Sequence, residues 1–307
     1  MRRRFEGIIP PIVTPLCGRD ELDAAGLERL IEHVLAGGVH GLFLLGTTGE
    51  GPSLSYRLRR ELIERACMQV RKRVPVLVGI TDTAFEESVN MARIAANAGA
   101  DAVVLAPPYY MPGAQPELQE YLEHLLPELP LPLLLYNMPS LTKVAYEVET
   151  VERAMDHEGI VGLKDSSGNM PYFHRLMALR GRRPDWSLLM GPEELLFDAL
   201  IVGAQGGVTG GANVFPKLYV AMLRAAWAGD LVRCRELHSA ILRVGNALYR
   251  IGRHPSSIIK GIKCALACLG ICDDFMAEPF HRFRAEERAL VQSRLKEVEA
   301  ELSRLNV

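Results

Sequence analysis

Lysine is scarce in this 307-residue chain: only Lys72, Lys143, Lys164, Lys217, Lys260, Lys263 and Lys296 stand among 35 basic residues, the rest being arginine. Net charge is nearly absent as well, at −2, which gives no electrostatic handle for nucleic acid or an anionic membrane. No apolar run reaches the roughly 20 residues that a membrane-spanning helix needs. Paired metal-ligand spacings are missing too. The eight histidines are dispersed, and Cys264, Cys268 and Cys272 stand four apart, along one stripe of an expected helix. With Cys17, Cys67 and Cys234 they are expected to be reduced thiols, and no metal is expected. The basic start Met1-Arg2-Arg3-Arg4 before Phe5 to Leu16 resembles a signal peptide, but Pro10, Pro11 and Pro15 break the apolar stretch and no small-residue cleavage site follows. No export signal and a cytoplasmic location are therefore expected.

What the chain does have is the composition of a globular protein, 49% hydrophobic and 23% charged, and a regular alternation. Apolar, β-branched runs at Gly7 to Thr14, Leu42 to Leu45, Val74 to Val78, Ala102 to Leu105, Leu131 to Leu135, Ile160 to Leu163, Trp186 to Met190 and Gly206 to Thr209 read as strands. Amphipathic stretches between them read as helices. Junctions such as Ala36-Gly37-Gly38 and Ala98-Gly99-Ala100 stop a helix on glycine before the next strand. Eight such pairs imply an α/β fold, a closed (β/α)8 TIM barrel over residues 1–229. An open doubly wound sheet fits less well, since no glycine fingerprint follows the first strand. After Gly229 the alternation gives way to three helical stretches, a C-terminal annex over 230–307.

The scarce lysine matters at Val161-Gly162-Leu163-Lys164-Asp165-Ser166-Ser167-Gly168. Lys164 ends a buried strand at the carboxyl edge, where barrel enzymes carry their chemistry. It reads either as a surface loop lysine or as an amine nucleophile, and exclusion of water favours the neutral, nucleophilic form of an amine. The second strand ends at the same edge in Gly46-Thr47-Thr48-Gly49-Glu50-Gly51, where backbone N–H groups and hydroxyls could converge on a small anion such as a carboxylate. A phosphate-binding P-loop is excluded, because Pro52 stands where that motif needs lysine. Tyr109, Tyr110 and Tyr136 are wall residues or, beside a lysine, proton relays.

Taken together and in register, Gly46-Thr47-Thr48-Gly49-Glu50, Tyr109-Tyr110, Tyr136-Asn137-Met138-Pro139-Ser140 and Gly162-Leu163-Lys164-Asp165 resemble the dihydrodipicolinate synthase and N-acetylneuraminate lyase family of Schiff-base lyases. The resemblance covers essentially the whole chain. It implies a class I aldolase acting on pyruvate or another 2-oxo acid, without cofactor, as a homotetramer. By that resemblance Lys164 forms the imine, Thr47 and Thr48 hold the carboxylate, Tyr136 shuttles protons, and Tyr110 reaches into a neighbouring subunit's site. It also implies substrate contacts at Gly49, Ser166, Gly191, Glu194 and Val208.

Two positions depart from the synthase pattern. Leu141 replaces the arginine that grips the carboxylate of aspartate semialdehyde, and Met111 replaces an asparagine. An apolar residue cannot make a bidentate contact, so the expectation shifts toward 2-keto-3-deoxy sugar acid or 4-hydroxy-2-oxo acid aldolases. Dihydrodipicolinate synthase and N-acetylneuraminate lyase are the alternatives. For the last, Glu193 and Glu194 sit where acidic residues line the sugar-tail pocket, but Thr209-Gly210-Gly211-Ala212-Asn213 lacks the serine that contacts sialic acid. Pyridoxal phosphate on Lys164, with Gly206 to Gly211 at its phosphate, or a non-enzymatic binding role on a retained barrel, are readings from other classes.

Overall fold

The computed structural model describes residues 4–307, so the basic start Met1 to Arg3 lies outside the described residues. Eight parallel strands form one sheet: β1 (Gly7–Ile8), β2 (Leu42–Leu44), β3 (Val76–Gly79), β4 (Ala102–Leu105), β5 (Leu133–Asn137), β6 (Ile160–Asp165), β7 (Ser187–Met190) and β8 (Gly206–Gly207). Neighbours run in sequence order from β2 to β8, and β8 pairs with β1. A parallel bridge between Pro11 and Phe43 brings β1 back to β2, with Ile12 N–H donating to Phe43 C=O at 2.9 Å. The sheet is thereby closed into the (β/α)8 barrel.

The first strand is shorter than its apolar run suggests. Pro10, Pro11 and Pro15 have no N–H to give a ladder, so regular pairing stops at Ile8. The chain then turns through a small antiparallel hairpin, Leu16–Gly18 against Glu21–Leu22, that periodicity does not reveal.

Helices α1 (Ala24–Ala36), α2 (Tyr56–Val70), α3 (Phe85–Asn97), α4 (Gln115–Leu125), α5 (Val148–Ala154), α6 (Met170–Ala178), α7 (Leu196–Ile201) and α8 (Pro216–Trp227) surround the strands. The first two start on side-chain caps of the expected kind: Asp23 accepts from Gly26 N–H at 2.8 Å and Ser55 from Leu58 N–H at 3.2 Å. Gly38 and Gly99 follow helix ends with φ of 82° and 87°, the left-handed geometry glycine adopts most readily.

Three further helices, α9 (Leu231–Leu248), α10 (Ser257–Cys268) and α11 (Ala285–Arg304), complete the chain. One expectation is corrected here. Helix α10 stops at Cys268, and Gly270 turns with φ 72°, so Cys272 lies beyond the helix and the three cysteines do not share one stripe.

Two apolar layers result. One lies between the strands and their helices and continues into α9, α10 and α11. The other fills the barrel, with Phe5, Ile9, Phe43, Leu77, Val104, Leu134 and Tyr136 among its members. Along β5 the alternation is strict, Leu133 and Leu135 facing out while Leu134 and Tyr136 face in.

Along β6 the alternation breaks, and the break matters. Ile160 pairs with Leu133, yet Gly162 pairs with Leu134, so the register slips by one residue around Val161. Ile160 and Leu163 consequently both face the outer layer while Val161 faces in. Such a bulge re-aims every later side chain on its strand. Without it Lys164 would share the outward face of Ile160; with it Lys164 pairs with Tyr136 and enters the barrel. Gly162 is the residue that permits this, because a Cβ there would lie 2.2 Å from Ser187 O.

Candidate active site

Lys164 is only 4% exposed. Its Nζ lies 3.9 Å from the ring centroid of Tyr136 and 5.2 Å from that of Phe43. The two rings meet edge to face at 6.3 Å and 89°, so the amine rests in an aromatic corner that excludes water and limits its rotamers. The Tyr136 hydroxyl is 3.2 Å from Thr47 Oγ1, a hydrogen bond in which either oxygen can donate. Lysine, phenol and threonine hydroxyl are thus contiguous, drawn from the ends of β6, β5 and β2.

The strand ends behind them are locked. Asn137 and Asp165 are fully buried neighbours in register, and Asn137 Nδ2 donates to Asp165 Oδ1 at 2.9 Å while its Oδ1 accepts from Tyr146 N–H at 3.1 Å. Asp165 also accepts from the Ser167 N–H and hydroxyl at 3.1 and 2.9 Å. Burial pushes its carboxyl up from the usual range, against these hydrogen bonds, which lower it. A fully satisfied polar cluster of this kind holds one geometry, and it lies directly after Lys164.

The turn after β2 carries the second group of expected residues. Thr47 and Thr48 are half-buried and Gly49 is buried. Gly49 packs so closely that a Cβ would lie 2.8 Å from Ile12 O, and Thr14 Oγ1 donates to Gly49 O at 2.6 Å. In front of this turn is a cavity of about 230 Å³ whose lining includes Thr47, Tyr136, Thr81, Tyr109, Leu141 and Arg59. That volume suits a small metabolite.

The remaining expected residues divide. Gly191 lies against the strand-end loop, its N–H donating to Asp165 O at 2.7 Å, and a Cβ there would sit 1.9 Å from Ser166 Oγ. Val208 is 3% exposed and belongs to the barrel interior with Tyr136. Glu194 is exposed and lines a different cavity of about 630 Å³ with Asn246, Arg250, Arg253 and His254. Its neighbour Glu193 is buried and occupied, accepting from Tyr249 Oη at 2.6 Å and Gly211 N–H at 2.8 Å. Burial raises its carboxyl above the ordinary range. Tyr110 is 90% exposed with φ 76°, and it is not gathered with Lys164 in its own chain.

Sequence reasoning passed over two buried ion pairs. Arg59 on α2 donates to Asp82 Oδ2 at 3.1 Å, with side chains 10% and 7% exposed, and Tyr56 Oη donates to the same oxygen at 3.0 Å. In a helix as basic as Tyr56 to Val70 an arginine reads as a solvated charge, so nothing marked this one as inward. Lys263 pairs with Glu50. Its placement among apolar residues in Ser257 to Cys268, in a chain so poor in lysine, was the signal available.

Comparison with known proteins agrees with this geometry. The model of the dihydrodipicolinate synthetase family matches residues 4–298. A 4-hydroxy-tetrahydrodipicolinate synthase of Geobacter metallireducens is 32% identical over 96% of this chain and 99% of its own. A probable 2-dehydro-3-deoxy-D-pentonate aldolase of Escherichia coli K12 is also 32% identical, over 88% of this chain and 89% of its own. Among solved structures, dihydrodipicolinate synthase from Bacteroides thetaiotaomicron superposes with a TM-score of 0.94 at 52% identity, covering 97% of this chain and all, 100%, of that one. A prophage protein of the dihydrodipicolinic acid synthase family from Escherichia coli K12, in complex with pyruvate, gives 0.90 at 29% identity, covering 96% and 99%.

Proposed function

Because the chain belongs to the dihydrodipicolinate synthetase family, whose members are class I lysine Schiff-base lyases, we propose that it makes or cleaves a carbon–carbon bond next to a pyruvate-derived enamine on Lys164. The observation that carries this is the contiguity of the Lys164 amine, the Tyr136 ring and the Thr47 hydroxyl at the mouth of the barrel. Lys164 Nζ adds to the keto carbon of the 2-oxo acid, giving a carbinolamine. Loss of water forms the protonated imine, and loss of a methyl proton gives the enamine that attacks an aldehyde. Tyr136 stands where a phenol can move protons in both steps without leaving a buried charge. The turn at Thr47 and Thr48 receives the carboxylate through hydroxyls and backbone N–H groups. Nothing in this chemistry calls for a metal or an organic cofactor. Tyr110, 90% exposed and not gathered with Lys164 in its own chain, serves the site of a second copy in a homotetramer.

For the acceptor we favour 2-keto-3-deoxy sugar acids and related 4-hydroxy-2-oxo acids. Leu141, 52% exposed, stands on the cavity wall and offers no charge to a distal carboxylate. The synthase reading is favoured by a different residue: Arg59 lines the same cavity, although Asp82 already takes its guanidinium. Cleavage of N-acetylneuraminate fits less well, since Glu193 is committed to Tyr249 and Gly211 and has no free oxygen for a sugar hydroxyl.

The test has two parts. Borohydride with pyruvate should add a reduced pyruvyl group to the peptide containing Lys164; label elsewhere, or none, removes the mechanism. Side-by-side kcat/KM values for aspartate semialdehyde condensation and for cleavage of several 4-hydroxy-2-oxo acids then decide the substrate. Aspartate semialdehyde coming out best would make the protein a synthase that grips its acceptor without Leu141.

A further inference from the structure

The residue that follows Thr47, Thr48 and Gly49 is a glutamate whose backbone has φ 55°, a left-handed conformation that glycine reaches at lower cost. Its side chain is taken up by the C-terminal segment, by Lys263 on α10 and by Ala277 in the loop that leads to α11. Glu50 Oε2 accepts from Lys263 Nζ at 2.7 Å and Oε1 from Ala277 N–H at 2.8 Å. The two charged side chains are shut off from water, at 1% and 0% exposure. An apolar pair of similar volume could fill that space without desolvating two charges, so stability alone does not account for this pair.

What the pair does fix is the turn. Glu50 N–H donates to Thr47 O at 3.0 Å and Gly51 N–H to Gly46 O at 3.3 Å, so a shift at Glu50 moves both threonines. The far side of the turn has no slack, because a Cβ at Gly51 would lie 2.3 Å from Leu45 O. Charge matters as well as position. An unneutralised carboxylate immediately after Thr47 and Thr48 would repel an incoming anion, and the Lys263 ammonium removes that repulsion.

We propose that Glu50 and Lys263 are positioning residues for the carboxylate of the 2-oxo acid. Through them α10 holds the Thr47 and Thr48 hydroxyls at the separation from Lys164 that an α-keto acid spans, and so gives the site its preference for keto acids over plain ketones. This rests on Lys164 as the imine-forming residue and on the Thr47 turn as the carboxylate site.

Borohydride trapping at Lys164 with two ketones, pyruvate and acetone, separates the possibilities. The Glu50→Gln/Lys263→Met double variant removes both charges while keeping an acceptor for Ala277 N–H and the length of the lysine stem. Its preference for pyruvate over acetone, measured as the ratio of trapping efficiencies, should fall at least about tenfold, the loss expected when charge-assisted hydrogen bonds to a carboxylate are misplaced. If the double variant does not fold, Glu50→Asp, which keeps both charges but shortens the carboxylate's reach by one methylene, carries the same comparison. An unchanged ratio, whether both ketones trap as before or both decline together, overturns the proposal and leaves a structural ion pair. Absence of trapping at Lys164 in the unaltered protein overturns the imine reading itself, and this inference with it.

Discussion

The two walls of the cavity are built differently. The inner wall is finished within one chain: Lys164 and Tyr136 are 4% and 6% exposed, aromatic rings fix the amine, and Asn137 and Asp165 close the hydrogen-bond count behind it. The outer wall is open: Leu141 on it is 52% exposed, and Tyr110 and Met111, which follow the lining residue Tyr109, are 90% and 79% exposed. A wall buried in the barrel can hold reacting groups to a fraction of an ångström, as imine chemistry requires. An open wall of loop residues can be changed without disturbing the fold. The comparison implies that inner-wall substitutions act on turnover for every substrate and outer-wall substitutions act on choice among substrates.

The sharpest break in that contrast is at Lys164. Lys164→Arg keeps a long basic side chain in the aromatic corner but supplies a guanidinium that stays protonated and cannot add to a carbonyl. Turnover should fall by more than about 10³-fold, to background, with every acceptor tested. Circular dichroism unchanged from the unaltered protein would show that the loss is chemical. Residual turnover within about tenfold of the starting value would remove Lys164 as nucleophile.

Next in size is Tyr136→Phe, which keeps the ring beneath the amine and deletes the hydroxyl bonded to Thr47. A drop of about 10² to 10⁴ in kcat is expected, equal for all acceptors. A change in acceptor preference instead would move Tyr136 to the recognition side of the comparison.

How much of this was legible in the sequence follows from the same division. Lys164, Thr47 and Tyr136 could be found because each ends an apolar run, and strand ends are visible as breaks in hydrophobicity. The barrel was legible for the same reason, through eight repeats of one pattern. The bulge at Val161 was not, since a one-residue slip leaves the run Ile160 to Leu163 equally apolar in either register. Without it the strand pattern points Lys164 outward, so what singles out the lysine in the sequence is its position at the strand edge and not its face. The Lys263–Glu50 and Arg59–Asp82 pairs join residues far apart in the chain, and no local period reports such partners. Tyr110 was singled out by its neighbours in the motif, whereas its exposure is a property of the folded loop.

A smaller effect is expected at Tyr110, where the contrast itself can be sharpened. Tyr110→Phe should lower kcat about 10- to 100-fold if its hydroxyl takes part in a proton relay. Whether it serves its own site or a second copy's is separable by mixing. Chains carrying Lys164→Arg and chains carrying Tyr110→Phe, each weak alone, should regain activity when dissociated and reassembled together. Sites with an intact lysine would then receive an intact Tyr110 from the other chain. Recovery no greater than the sum of the separate activities would place Tyr110 outside any shared site.

The smallest expected effect concerns choice of acceptor. Leu141→Arg introduces a guanidinium on the exposed wall, next to a cavity already lined by Arg59. A new charge-assisted hydrogen bond to a distal carboxylate is worth about 1.5 to 3 kcal/mol, but the side chain must give up rotamer freedom to make it, and water screens a half-exposed pair. The ratio of kcat/KM for aspartate semialdehyde over a 4-hydroxy-2-oxo acid without a distal carboxylate should therefore rise by only about 3- to 10-fold, with little change in pyruvate trapping at Lys164. Stability should hold within about 0.5 kcal/mol, since Leu141 is a surface residue in a one-turn helix, Pro139–Thr142. A fall in pyruvate trapping together with the acceptor ratio would show that Leu141 belongs to the inner wall in function despite its exposure. An unchanged ratio would mean that Arg59, or a group brought by a second copy, already reads the acceptor's carboxylate, and that the open wall is completed from elsewhere.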